Sequence, residues 1–142
     1  MIRSRFEEKK ITIVVPTLNS FKILERLVKS LKGQTTNNWE VIFVDGHSKK
    51  DHKNWLTKLC KKDNRFKWIS QSFQSQGIFG AMNDGINEIK ESSWVMFWGS
   101  DDWCNSTNVI ENLYENLNKI YSSGLKIDLL INKARFFSKE LK

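Results

Sequence analysis

No run of residues in this sequence is long and apolar enough to cross a membrane. The longest apolar stretches, ITIVV, VIFV and WVMFW, are strand-sized, and the N-terminal MIRSRFEEKK lacks the apolar core of a signal peptide. Cysteine is scarce. Cys60 and Cys104 stand in no CxxC or other metal-ligating spacing, so they read as reduced, partly buried thiols, and a cytoplasmic location is expected. The two histidines, His47 and His52, have neither the helical i, i+4 relation nor a cysteine partner, a pattern of solvated loop residues rather than zinc ligands. Internal repeats, low-complexity segments and interdomain linkers are all missing, so residues 1–142 are expected to form a single domain. RNP, zinc-finger and helix-turn-helix signatures are missing too, which makes a nucleic-acid-binding module the poorest fit, with no nucleic acid expected as partner.

Basic residues are in excess, 23 Lys and Arg against 16 Asp and Glu, for a formal net charge of +7. Such a balance suits an anionic partner, whether a phosphorylated ligand, a membrane surface or nucleic acid, without selecting among them. The lysines from Lys49 to Lys67 read as a solvated face. The 6 tryptophans resemble a base-stacking set at first sight. Trp94 and Trp98 fall within an apolar run and Trp55 on an apolar helix face, where core packing is the commoner use.

Strand and helix alternate along the chain. Ile11 to Val15 is β-branched and closes at Pro16, the sole proline, which has no N–H for a ladder hydrogen bond. Phe21, Leu24, Leu27, Val28 and Leu31 then recur at helical spacing, with Lys29 and Lys32 in the last turn and Gly33 as the expected left-handed cap. Glu40 to Val44 predicts a second strand stopping at Asp45 and Gly46. A second helix, Asp51 to Lys62, carries Trp55, Leu56, Leu59 and Cys60 on its apolar face. Phe66 to Ser70 predicts a short third strand, and Ile78, Met82, Ile86 and Ile89 line one side of a third helix. Trp94 to Trp98, five large apolar residues in a row, reads as a strand buried on both faces, the habit of a central strand in a parallel sheet. Asn108 with Glu111 suggests a capping box for a last helix through Val109, Leu113, Leu117 and Ile120, ended by Gly124. Ile127 to Ile131 predicts a fifth strand. The order βαβαβαβαβ implies an α/β fold, a mainly parallel sheet with helices on both faces.

Three loops are expected to meet at the carboxyl edge of such a sheet, where ligands bind in open α/β folds. They are PTLNS after the first strand, DGHS after the second and GSDDW after the fourth. Asp101 and Asp102 put two adjacent carboxylates there, well placed to hold a divalent metal. Alone, each feature has a plain explanation: SDD is common in loops, Asp45 before Gly46 is a turn former, and GIFGAMNDGI is an ordinary amphipathic helix. Together and in order, Pro16 to Ser20, Val44 to Ser48, GIFGAMNDGI and SDD resemble the nucleotide-sugar-binding half of family 2 glycosyltransferases of the GT-A fold. The resemblance runs from about Ile11 to Cys104, and is strongest to enzymes that build bacterial surface polysaccharides.

That resemblance implies a Rossmann-like three-layer α/β/α sandwich and an inverting, metal-assisted transfer from a nucleotide-diphosphate sugar to a saccharide or lipid-linked acceptor. It implies that Pro16, Thr17 and Asn19 belong to the loop lining the nucleotide pocket, and that Asp45 contacts the base. Gln76 and Gly77 would open a helix running past the donor. Asp101 would lie near the ribose and beside the metal, with Asp102 the principal ligand of Mg²⁺ or Mn²⁺. Such an ion bridging the diphosphate stabilises the charge that develops as the sugar departs. A lipid-linked acceptor would bring the protein to the inner face of the membrane, and a partner subunit is a further expectation.

Departures from the family pattern stand at Gly80, where aspartate is usual, at Phe79, where tyrosine is, and at Lys49, Lys50 and Asp51, where Thr-Asp-Gly is. The acceptor-binding half, which supplies the catalytic base, is largely missing, so the chain reads as an apparently truncated donor-binding half and no base is named. Asp128 falls at the start of a predicted strand, at the edge away from the site. The second reading is a noncatalytic relative that binds nucleotide or a partner subunit. Sugar-nucleotide pyrophosphorylases fit less well, because PTLNS is not their glycine-rich basic loop.

Overall fold

The computed structural model describes residues 9–90, 94–131 and 135. The first eight residues, read above for a leader, and the tail from residue 136 lie outside the described residues. Four strands, β1 (Ile11–Thr17), β2 (Trp39–Asp45), β3 (Phe66–Ser70) and β4 (Trp94–Phe97), alternate with four helices, α1 (Phe21–Lys32), α2 (Lys50–Lys62), α3 (Gly77–Asn87) and α4 (Val109–Ser122). Every strand pair is parallel, in the order β3-β2-β1-β4. The register brings three strand ends level, with Thr17 opposite Asp45 and Asp45 opposite Ser70.

Strand alternation sends side chains to two different layers. Ile11, Ile13 and Val15 of β1, with Val41 and Phe43 of β2, join Leu24, Leu27 and Leu31 of α1, Leu56 of α2 and Ile110 of α4 in the larger core. Each fully buried leucine there contributes ~1.5–3 kcal/mol relative to exposure. Val14, Ile42 and Val44 face the other way and pack on Ala81 of α3. Gly85 brings α3 onto the sheet, because a Cβ there would stand 2.4 Å from Val14 Cγ1 and 3.1 Å from Val44 Cγ2. The result is the three-layer α/β/α sandwich with a parallel sheet.

Four local expectations are corrected. Trp94 to Trp98 gives a shorter strand that stands at one end of the four-strand sheet rather than at its centre. Both its faces do meet apolar partners, Trp94 and Met96 on the larger core and Val95 on the α3 side, yet only β1 hydrogen-bonds it among the described residues, and Phe97 is 43% exposed. A run apolar on both faces reports what covers the strand, not how many strands flank it. Gly33 has φ −82° rather than a left-handed value, since α1 ends by turning Gln34 inward. The Gln34 amide bridges Ser30 O at 3.1 Å, Ser106 O at 2.7 Å and the Ile110 N–H at 3.0 Å.

The capping box is not formed either. Asn108 makes no side-chain cap bond and accepts from Ser106 Oγ, while Glu111 accepts from Thr35 Oγ1 at 2.8 Å. Ile127–Ile131 adopts no strand; Leu129 and Ile131 are exposed, while Asp128, Leu129 and Leu130 share a cleft with Trp94, Met96 and Leu117. Gly124 does follow α4 in the left-handed region, at φ 77°. Among the described residues no helix is long and apolar enough to cross a membrane.

Candidate functional site

The loops after β1 and β2 are fastened to each other at the carboxyl edge. Gly46 N–H donates to Thr17 O at 2.9 Å, Asn19 N–H to Ser48 Oγ at 2.7 Å, and Lys49 N–H to Asn19 Oδ1 at 2.8 Å. Asn19 sits at φ 50°, a left-handed turn that asparagine tolerates better than most residues. Asp45, fully buried, accepts from Ser48 N–H at 3.1 and 3.3 Å, so it is a turn former and a buried acid at once. Lys53 Nζ, 3.8 Å from Oδ2, offsets its charge. The loop after β3 joins through Gln71 N–H, 2.8 Å from Asp45 O. Of the two histidines, His47 is exposed as expected, at φ 65°, and stacks on the exposed Phe73 with ring centroids 4.1 Å apart.

His52 is not a solvated loop residue. It lies in the first turn of α2 on one stripe with Leu56 and Leu59, is 1% exposed, and places Nε2 at 3.2 Å from Thr17 Oγ1 and 3.7 Å from Asp45 Oδ1. Thr17 Oγ1 in turn lies 2.6 Å from Ser20 Oγ. Burial pushes the imidazole below its ordinary value of 6.5, and the Asp45 carboxylate opposes that shift. The spacing 52, 56, 59 was the sequence signal for an inward-facing side chain.

Gln76, in extended conformation, and Gly77, at φ 71°, open α3 and are both exposed. The loop before them folds onto the helix. Gln71 Nε2 donates to Ser75 O and to Gly77 O, while Asp84 accepts from Ser72 N–H at 2.7 Å and from Ser75 Oγ at 2.8 Å. At Gly80 a Cβ would stand 2.6 Å from the Ser75 carbonyl carbon. The departure from aspartate at this position is therefore tied to the folded loop, which occupies the space the side chain would need. Asp84, one turn further along α3, holds that loop down.

The acidic loop is tied to β1. Trp98 N–H donates to Val14 O at 3.1 Å and Ser100 Oγ to Pro16 O at 3.0 Å, which carries the chain from the earlier end of β4 up to the PTLNS loop. Asp102 Oδ2 accepts from Gly99 N–H at 2.6 Å. A Cβ on Gly99 would meet Asp101 Oδ1 at 2.8 Å and Asp102 Oδ2 at 3.5 Å, so both carboxylates converge over a residue that has no side chain. Both are exposed. Two converging, solvent-open carboxylates suit a Mg²⁺ or Mn²⁺ ion that keeps water and phosphate oxygens as its other ligands. Three or more His, Cys, Asp or Glu side chains do not gather anywhere among the described residues, which excludes from them a closed, all-protein metal cage.

Behind this loop Arg26 lies 3.4 Å from the centre of the Trp103 ring, and Cys104 N–H donates to Ser30 Oγ at 3.0 Å, anchoring the chain on α1. Cys104 and Cys60 are free thiols, and burial pushes both up to about 11, so they stay protonated, as the spacing indicated. Pro16, Thr17, Asn19 and Asp45 are thus brought together by the parallel register and by bonds through Gly46, Ser48 and Lys49, with Asp101 and Asp102 joined to them through Ser100. Gly77, with Gln76 beside it, connects to the edge through Gln71. His52, Ser48, Lys53 and Asp84 were not foreseen as site residues.

A parallel four-stranded sheet between two helical layers, with a buried acid and a solvent-open acidic pair at its carboxyl edge, defines an open α/β domain whose candidate ligand site lies at that edge. The chain belongs to Glycosyl transferase family 2, which matches residues 12–127. It is 30% identical over 131 residues to the GalNAc(5)-diNAcBac-PP-undecaprenol beta-1,3-glucosyltransferase of Campylobacter jejuni, covering 92% of this chain and 41% of that protein. Glycosyltransferase GlyA of Streptococcus pneumoniae is 29% identical over 110 residues, 78% of this chain and 15% of its own. The chain therefore spans less than half the length of these relatives. The crystal structure of residues 1–349 of S. aureus TarS with UDP superposes with a TM-score of 0.68 at 25% identity, over 79% of this chain and 33% of that one. Mannosyltransferase PcManGT from Pyrobaculum calidifontis, solved with GDP-Man and Mn²⁺, shares the fold, with a TM-score of 0.63 at 16% identity over 78% and 32% of the two chains.

Proposed function

We propose that residues 1–142 form the donor-binding part of a glycosyltransferase that moves a sugar from a nucleotide-diphosphate sugar to a saccharide or lipid-linked acceptor in surface-polysaccharide synthesis. The observation that carries this reading is the continuity of the edge, from Asp45 and Gly46 through Thr17 and Pro16 to Ser100 and the acidic pair. The base would lie toward Asp45, whose carboxylate can accept from a base N–H. The PTLNS loop and the α3 entry at Gln76 and Gly77 would flank the donor, and Asp101 would stand near the ribose. Asp102, with Asp101 beside it, would hold Mg²⁺ or Mn²⁺, which supplies charge stabilisation to the diphosphate as the sugar leaves. The lipid-linked acceptor named for the Campylobacter relative supports a place at the inner face of a membrane. The relatives named above are glycosyltransferases, which favours transfer over a noncatalytic role.

Metal-dependent donor binding tests the reading. UDP at ~100 times its dissociation constant should stabilise the fold by about 2.7 kcal/mol with Mn²⁺ or Mg²⁺ present, and by much less in EDTA. Asp102→Ala should remove the metal-dependent part of the melting shift. Equal shifts with and without metal would sink the assignment of Asp102, and no shift with any of UDP, GDP or dTDP would sink the nucleotide site itself.

A further inference from the structure

His52 has no part in the resemblance that identifies the other site residues, yet it touches two of them. One nitrogen, Nε2, faces both Thr17 Oγ1 at 3.2 Å and Asp45 Oδ1 at 3.7 Å, whereas Nδ1 is buried without a hydrogen-bond partner among the described residues. This asymmetry favours one tautomer. Were the proton on Nδ1, a buried N–H would be orphaned and a bare Nε2 lone pair would confront a carboxylate. With the proton on Nε2, only an acceptor goes unpaired, which is the cheaper defect in a protein interior. Nε2–H therefore donates toward Thr17 Oγ1, which is also hydrogen-bonded to Ser20 Oγ, 2.6 Å away.

We propose that His52 is a positioning residue of the nucleotide pocket, bonded through Nε2 to Thr17 and facing the Asp45 carboxylate, so that the hydroxyl and the carboxylate keep one orientation toward the ligand edge. The groups that face the imidazole are few. Asp45 comes from β2 and Thr17 from β1; Ser20, bonded to Thr17, and Phe21, its ring centre 6.3 Å away, come from the start of α1; Lys53 on α2 pairs with the far oxygen of Asp45. Among the described residues Lys53 is the one cation in this group, and it reaches Oδ2, so the imidazole is the side chain that faces Oδ1, beside the longer of the two Ser48 N–H contacts at 3.3 Å. A second proton would create an Nδ1–H with no acceptor and draw Nε2–H onto Asp45, in competition with a base N–H. Donor binding should accordingly weaken on acidification.

The inference rests on Asp45 lying in the nucleotide pocket, and the experiment separates the two ideas. UDP-GlcNAc is the probe, because both of its phosphates are esterified and do not titrate near pH 6. In calorimetric titrations with Mn²⁺, His52→Leu, which keeps bulk but no N–H, should bind about tenfold more weakly than the parent while still melting cooperatively. His52→Gln can place an N–H near the Nε2 position and should retain most of the affinity while losing the fall in affinity below pH 6.5. Asp45→Asn combined with His52→Leu should lose less than the product of the two single losses, since both act on one carboxylate. Nitrogen NMR of the ligand-free parent should show the Nε2–H tautomer at neutral pH. A His52→Leu variant that binds as the parent does, with the same pH profile, makes the histidine mere core and overturns the proposal, as does an Nδ1–H tautomer. A parent that binds no nucleotide overturns the pocket reading first and this role with it.

Discussion

At the residue scale the site depends on a few side chains whose surroundings set their chemistry. Asp45 keeps its place by accepting from Ser48 N–H, and asparagine can preserve that bond while giving up the charge. Asp45→Asn should therefore fold normally and bind UDP roughly tenfold more weakly, with base discrimination blurred, because a hydrogen bond to a charged acceptor contributes ~1.5–3 kcal/mol against ~0.5–1.5 for a neutral one. The Mn²⁺-dependent increment of the melting shift should persist. If UDP, GDP and dTDP bind the variant as they bind the parent, Asp45 serves the turn alone. What was legible at this scale was the motif, PTLNS, VDGHS and SDD. What was not legible was the set of contacts between motifs, because the sequence distance from Thr17 to His52 carries no sign that β1 and α2 meet at the sheet edge.

At the scale of elements, the strand and helix order was legible from β-branched runs and apolar periodicity, and the errors were errors of neighbourhood. WVMFW has the same composition whether it is flanked on one side or two. Gly33 is compatible with a left-handed cap until Gln34 claims the end of α1. Gly85 shows the opposite case, a residue whose role is visible only in packing. Gly85→Ala keeps the helix propensity of α3 and even improves it, yet its methyl would drive into Val14 and Val44 of β1 and β2. Overpacking of this kind typically costs ~1–3 kcal/mol, so the urea midpoint should fall rather than rise. A rise would mean that α3 can lift from the sheet freely, and that the close approach at Gly85 has no energetic weight.

For the molecule as a whole, the buried ionisable groups predict how stability responds to acid. The His52 imidazole takes a proton less readily folded than unfolded, so below its ordinary value of 6.5 the unfolded chain binds more protons and stability falls until the folded value is passed. Asp63 behaves as a depressed carboxylate. Hydrogen bonds from Arg65 hold it below its ordinary value of 3.8, against the opposing effect of burial, and the stability it contributes is present above that value and lost as pH drops through the folded one. Urea midpoints measured from pH 8 down to pH 2 should thus decline in two stages, with His52→Gln flattening the upper and Asp63→Asn the lower. A single decline confined to the region below pH 4, in parent and variants alike, would contradict the His52 stage. The level ending of β1, β2 and β3, with Thr17, Asp45 and Ser70 on one rung, has its own consequence for how this chain can change over time. Lengthening a loop at its tip leaves that rung in place. Inserting or deleting one residue within β2 slides its end by ~3.3 Å and turns Asp45 to the opposite face, so a change of length there removes the buried acid from the edge whereas one at a loop tip does not.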